Sequence, residues 1–258
     1  MLGRILTFAY GVVSYAIFFG TFLYAIGFVG NLVVPKTMDS GATGSIGLAL
    51  AVDLALLLAF AAQHSIMARP AFKRAWTRIV PEPAERSTYV LASSAALILL
   101  FWQWQPIGGI VWDVTSPSIR VALQATCAVG WLTVLVSTFL INHFDLFGLR
   151  QVWLHLIGRP YTHLSFRTPG PYRFVRHPLY VGWLLAFWAT PTMSIAHLVF
   201  ALATTGYILV AIQLEERDLV DAHGERYERY RKSVGMLFPR VRRNQAPARV
   251  KAVADARP

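Results

Sequence analysis

"RFVRHPLYVGWLLAFW", residues 173–188, sets two arginines and a histidine directly against an apolar run. Pro178 suits the first turn of a helix, where its missing N–H would have been unpaired anyway, so a helix is predicted to begin at His177 or Pro178. Working outward, no Asp, Glu, Lys or Arg occurs from 177 to 214. One helix of that length would measure about 57 Å against a hydrocarbon core of about 30 Å. Pro191, with Thr192 and Ser194, interrupts it. The segment therefore reads as a tight helical hairpin with arms at 178–190 and 195–222.

The rest of the chain has the same character. Of 258 residues, 55% are hydrophobic and 14% charged, far below the roughly 25% charge of a soluble domain. Further stretches without Asp, Glu, Lys or Arg lie at 5–35, 54–68, 87–112 and 121–144, and a span needs about 20 apolar residues. The expected fold is an all-α, polytopic integral membrane helix bundle, with helices at about 7–33, 44–67, 87–105, 119–147, 178–190 and 195–222. The first apolar run is about twice the length of a signal-peptide core and lacks a cleavage motif, so it is expected to remain in the mature protein.

Lys and Arg concentrate in the 69–86 loop, the 148–177 loop and the region after Glu216, while the loops at 35–43 and 106–118 carry one Lys between them. The positive-inside rule then places both termini in the cytoplasm. Much of the +11 net charge is explained by topology and lipid contact, and no nucleic-acid partner is expected. Cys127, the single cysteine, lies inside the fourth helix, which excludes a disulfide or cysteine metal cluster.

No repeat is visible, and 1–239 reads as a single transmembrane domain followed by a flexible basic tail at 240–258. Within "EERDLVDAHGERYERYRKSVGMLFP", residues 215–239, Leu219, His223, Tyr227, Tyr230, Val234 and Leu237 recur at spacings of three and four. This is a cytoplasmic amphipathic helix, kinked near Gly224.

Arg173, Arg176 and the free N–H groups at the start of the fifth helix suit a carboxylate or phosphate; an interfacial anchor of Arg, Tyr and Trp is the plainer alternative. A turn near residue 193 puts 177 opposite 209, with Glu215 and Glu216 roughly 9 Å further along. Cations and carboxylates side by side fit either a structural ion pair or a ligand carrying both charges, such as an amino acid joined to a sulfonium. Gly182 permits close approach of another helix or a flat ligand.

"RHPLYVG" followed across a hairpin by "EERDLVDAHGERYERYRKSVGMLFP" resembles the C-terminal signature of membrane methyltransferases related to isoprenylcysteine carboxyl methyltransferase and phosphatidylethanolamine methyltransferase. The resemblance implies S-adenosylmethionine as cofactor, held by Arg176, His177, Tyr180, Gly182, Glu215 and Glu216, with Tyr227 and Tyr230 closing the pocket. "QHSIMARPAFK" at 63–73 and "INHFDLFGLRQVWLHLIGRPY" at 141–161 extend the likeness to the bacterial methanethiol S-methyltransferase family. That implies methylation of methanethiol to dimethyl sulfide at a bacterial inner membrane, with the cofactor site facing the cytoplasm.

Methyl transfer from a sulfonium is an in-line displacement that needs alignment and a thiolate, and no metal. His143 and Asp145 are the candidate base and its orienter, provided the fourth helix ends near Asp145; a structural role for both stays open. His64, Arg150 and Trp153 are the candidate substrate contacts. His155 and His163 lie in a loop, and His197 is near the outer turn. The alternatives are a methyltransferase with a lipid or prenylated-thiol acceptor, and a non-catalytic membrane component.

Overall fold

The computed structural model describes residues 1–162 and 164–240; His163 and all but the first residue of the expected tail lie outside them. The chain is a helix bundle. In order it forms α1 (Leu2–Gly30), α2 (Ile46–Ala68), α3 (Pro70–Trp76), α4 (Glu82–Gln103), β1 (Ile110–Asp113), α5 (Pro117–Ile141), α6 (His143–Leu146), α7 (Leu149–Leu156), α8 (Pro178–Trp188), β2 (Thr192–Ser194), α9 (Ile195–His223) and α10 (Glu225–Ser233). Four helices, α1, α2, α5 and α9, are long and apolar enough to cross a membrane. The protein is a multi-pass membrane protein, and its outward helix faces carry exposed apolar side chains such as Leu48, Leu58, Leu132 and Phe139.

α8 starts at Pro178, as the proline dictates. Its 11 residues span only about 16 Å at 1.5 Å per residue, half of a bilayer core. It is not simply folded back on α9. It packs more extensively against α5 than against α9, and in the α5 crossing Gly130 and Gly182 face each other. A Cβ on Gly182 would lie 2.8 Å from the Gly130 carbonyl oxygen and 2.9 Å from Val134 Cγ2, and one on Gly130 would lie 2.8 Å from the Gly182 oxygen. Only glycine lets the two backbones come this close. The Cys127 thiol donates to the Ala186 carbonyl at 3.4 Å in the same crossing.

The expected fourth helix, 119–147, is two helices. It stops at Ile141, and Asn142 caps α6 by accepting from the Asp145 N–H at 3.2 Å. The expected kink at Gly224 is a full break: Gly224 has φ 53, which ends α9 at His223 before α10 begins at Glu225. At the opposite end of the bundle, the turn after α8 pairs antiparallel with the 106–118 loop. Ile110 faces Ser194, and Asp113 faces Thr192. The hydropathy pattern gave no sign of these two short strands.

The core at that end is aromatic and includes Phe28, Phe101, Trp104, Trp131, Phe187 and Phe200. Asp53, buried inside the bundle, accepts from the Gln105 N–H at 2.8 Å and so holds the chain where it leaves α4. His197, also buried, donates from Nε2 to the Phe187 carbonyl at 2.8 Å, tying α9 to the end of α8.

Candidate active site

The segment 174–177 and the start of α8 meet the end of α9 at one buried junction. Glu216 Oε1 accepts from Arg176 Nε at 2.7 Å and from His177 Nε2 at 3.0 Å. Because a carboxylate only accepts, that contact fixes the His177 proton on Nε2. Arg176, His177 and Glu216 are 9%, 4% and 6% exposed. The sequence placed residue 177 opposite 209 and the glutamates about 9 Å beyond it. The structure instead brings Glu216 into contact, because residues 189–194 between α8 and α9 are extended rather than helical and so lengthen the α8 arm of the hairpin.

Glu215 points to the other side. It accepts from the Tyr180 hydroxyl at 3.0 Å, lies 3.9 Å from His177 Nδ1, and keeps 45% of its side chain exposed. The junction thus has a sealed half, where Glu216 is neutralised, and an open half, where Glu215 presents a carboxylate beside the N-terminus of α8.

The segment after α10 straps the junction from outside. Arg176 N–H donates to the Gly235 carbonyl at 2.8 Å and His177 N–H to that of Met236 at 3.2 Å, while Arg176 Nη1 donates to the carbonyls of Arg231 and Val234 at 2.9 and 2.6 Å. Tyr230 donates to the Tyr172 carbonyl at 2.5 Å. Tyr227 is almost fully buried, and its hydroxyl has no partner among the described residues. Burial raises both phenols, with Glu216 adding and Arg176 opposing, and Tyr230 reaches about 12. Phe166 packs edge-on against both rings, at 5.7 and 5.5 Å.

Of the residues expected to hold a cofactor, Arg176, His177, Tyr180, Glu215, Glu216, Tyr227 and Tyr230 come together here. Gly182 does not. It is two positions beyond Tyr180, which turns it to the opposite side of α8, into the α5 crossing.

His143 and Asp145 do not meet. The Thr138 hydroxyl gives its proton to the Leu135 carbonyl at 2.6 Å, so it accepts from His143 Nδ1 at 2.8 Å; Nε2 then accepts from the Tyr15 hydroxyl at 2.8 Å. The ring is also stacked on Phe139 at 4.2 Å. Burial lowers its pKa below the usual histidine value. Asp145 pairs instead with Arg150 at 2.8 Å and accepts from the Tyr161 hydroxyl at 3.3 Å. As neighbours separated by two positions near a helix start, the two side chains diverge.

Arg150 also donates to the Thr162 carbonyl and hydroxyl at 2.9 and 2.8 Å. With Trp153 and Phe8 it lines an open, mostly apolar groove of about 420 Å³ between α1 and α7. That groove shares no lining residue with the Glu216 junction. His64 lies elsewhere again, on α2 against α4, with Tyr89 at 2.9 Å from Nε2 and Ser93 at 3.2 Å from Nδ1. Tyr89, Ser93, Tyr172 and Phe166 were missed by the sequence reading, because no local spacing connects them to the motif. Tyr207 had a signal: it precedes Glu215 by eight residues, about two helical turns on nearly the same face.

A membrane helix bundle carrying this junction has the makings of a membrane methyltransferase. The family described as Phospholipid methyltransferase matches residues 124–226, which include α8 and α9 whole. The chain belongs to the methanethiol S-methyltransferase family, and it is a methyltransferase. It is 57% identical over 238 residues to "Methanethiol S-methyltransferase" of Crocosphaera subtropica, covering 92% of this chain and 93% of that one. It is 56% identical over 236 residues to the protein of the same name from Mycobacterium tuberculosis, covering 92% and 97%. Nurim of Mus musculus is a more distant relative, 34% identical over 184 residues and covering 68% and 70%. No solved structure matches the chain.

Proposed function

We propose that this protein transfers a methyl group from S-adenosylmethionine to methanethiol, giving dimethyl sulfide, at the cytoplasmic face of a bacterial inner membrane. The observation that carries the cofactor assignment is the junction's division of labour. Arg176 and His177 neutralise Glu216, which leaves the half-exposed Glu215 carboxylate, bonded to the Tyr180 hydroxyl, beside the N-terminus of α8. A ligand with an amino group, a carboxylate and a sulfonium finds a partner for each charge there: Glu215 for the cations, the α8 N-terminus for the anion. The buried Tyr227 hydroxyl, without a partner among the described residues, supplies a further polar group. S-adenosylmethionine brings the electrophilic methyl group.

The chain's own contribution is alignment, exclusion of water and acceptance of the thiol proton. A small apolar thiol offers little binding energy of its own, so rigid positioning has to substitute for affinity. The methanethiol assignment is supported by the two relatives of that name, which align with this chain over nearly their whole length. The cytoplasmic placement is supported by the Lys and Arg excess in the loops on the junction's side of the bundle.

Calorimetry tests the cofactor reading directly. Glu215→Gln is expected to weaken S-adenosylmethionine binding at least about tenfold, the loss associated with one charged hydrogen bond. Unchanged binding would overturn it.

A further inference from the structure

The groove between α1 and α7 lies outside the Glu216 junction, and methyl transfer makes no use of it. Phe8 and Trp153 meet in it with ring centres 5.9 Å apart, and Val12, Phe144 and Leu149 extend the apolar wall. Phe144 and Trp153 are half exposed, so the groove opens outward from the bundle. Its volume of about 420 Å³ is that of a ligand cleft, about 300–1,000 Å³. Arg4 stands one turn before Phe8 on the same face of α1. Its guanidinium lies over Gly158, just past the end of α7, where a Cβ would be 2.8 Å from Arg4 Nη1 and where φ is 71. Arg4 therefore marks one end of the groove. From Arg4 to Val12 the helix rises about 12 Å, within the roughly 15 Å of hydrocarbon in one leaflet. Arg159, the next residue after Gly158, is exposed. Arg4 and Arg159 have no hydrogen-bond or ion-pair partner for their side chains among the described residues. The first acidic residue of the chain is Asp39, and the one acid between 141 and 162, Asp145, is held by Arg150 at 2.8 Å. Arg150 itself is engaged by Asp145 and Thr162, so it contributes to the wall and offers no free charge.

We propose that this groove binds one anionic phospholipid, with an acyl chain lying along Phe8, Val12 and Trp153 and the headgroup phosphate held by Arg4 and Arg159. The C-terminal end of α7 favours a cation and so keeps Arg4 in place. No carbonyl among the described residues takes its N–H groups, which leaves the guanidinium fork for a phosphate. A headgroup with its own ammonium would set a further positive charge beside two arginines, so the site favours a headgroup without one. The apolar wall and the two cations stand in the order in which a lipid presents its chain and its phosphate. The lipid is a bound partner and not the methyl acceptor, because the groove shares no lining residue with the Glu216 junction.

The test uses the full chain in phosphatidylcholine vesicles and reads tryptophan fluorescence. Bromine on an acyl chain quenches an indole that it touches, and the signal lost in Trp153→Phe isolates the Trp153 component. Vesicles receive increasing fractions of brominated phosphatidylglycerol or, in a parallel series, brominated phosphatidylcholine. Each arginine near the surface favours an anionic lipid about fivefold. The Trp153 component is therefore expected to reach half-quenching at an about tenfold lower fraction of the phosphatidylglycerol than of the phosphatidylcholine. In an Arg4→Gln/Arg159→Gln double variant the two fractions should agree within about twofold, while the protein unfolds in detergent at the wild-type temperature. Equal quenching by the two lipids in wild type would show ordinary contact with the bilayer and overturn the proposal. So would a preference that survives in the double variant, or a double variant that unfolds several degrees early, since the arginines would then serve the fold. A Trp153 component that neither lipid quenches would show the groove covered by protein, a second copy of the chain included, and would overturn it as well.

Discussion

Arg176 Nε and Glu216 Oε1 stand 2.7 Å apart in a buried pair, although forty positions separate them in the chain. The pair joins the start of α8 to the last turns of α9, and the same guanidinium reaches the Arg231 carbonyl in the last turn of α10 and that of Val234 just after it. Three separate parts of the chain thus depend on one side chain. Glu216→Gln leaves that guanidinium buried without its counter-charge, and the expected loss is about 3–5 kcal/mol of stability. Arg176→Lys should be nearly as damaging, because a single ammonium cannot serve a carboxylate and two carbonyls in a fixed fork. Thermal unfolding in detergent measures both, and a transition within a degree of wild type for Glu216→Gln would show that the pair does not hold the junction.

The α5–α8 crossing makes a prediction about packing. Gly182→Ala places a Cβ 2.8 Å from the Gly130 carbonyl oxygen and about as close to the Val134 backbone nitrogen. Neither is the end of a flexible side chain, so the helices must separate. The expected destabilisation is about 1–3 kcal/mol, greater for Gly182→Val. A Gly182→Ala protein as stable as wild type by thermal unfolding would show that the helices have slack there.

His143 predicts a pH dependence. Burial holds its pKa below the ordinary value of 6.5. Below pH 6.5 the unfolded chain therefore binds more protons at this site than the folded one, and stability falls as pH falls. The contribution of the neutral ring is complete above 6.5 and is lost on acidification through the folded-state value. His143→Gln should remove this part of the slope, so the difference in unfolding temperature between wild type and variant is expected to narrow as pH drops from 7.5 to 5.5. A gap that is constant across this range would contradict the assignment of a buried neutral ring.

Legibility in the sequence followed the range of the signal. The long helices α1, α2, α4 and α9, the proline start of α8 and the break at Gly224 are local features of hydropathy and backbone chemistry, and they stood within about five residues of their expected places, whereas the expected helix 119–147 stops at Ile141. Arg176, His177, Glu215 and Glu216 were legible because unpaired charges at a membrane edge demand partners. The contact of 177 with 216 was not, since helical rise cannot describe the extended residues 189–194 between α8 and α9. Gly182 read equally well as a ligand contact or a helix contact, and only the position of Gly130, fifty-two residues earlier, decides between them. The His143–Asp145 pairing failed for a similar reason: Tyr15 and Thr138 on one side, and Arg150 on the other, are better placed, and nothing local announces them.

Orientation in the membrane is testable at the strand pair. β1 and the α8–α9 turn lie at the end of the bundle opposite the Glu216 junction. A membrane-impermeant thiol reagent applied to intact cells of a Cys127→Ser background is expected to label Val111→Cys, which is exposed on β1, and to spare Lys232→Cys. Labelling of both from outside would show that the number of crossings is wrong.

The central claim is the transfer of a methyl group to a small thiol. Purified protein in proteoliposomes, supplied with methanethiol and S-adenosylmethionine carrying a ¹³C-labelled methyl group, tests it most directly through headspace mass spectrometry. The account predicts dimethyl sulfide with one labelled methyl group, formed only when protein, donor and thiol are all present. Unlabelled or absent dimethyl sulfide, together with labelled product from a lipid or prenylated-thiol acceptor, would contradict it.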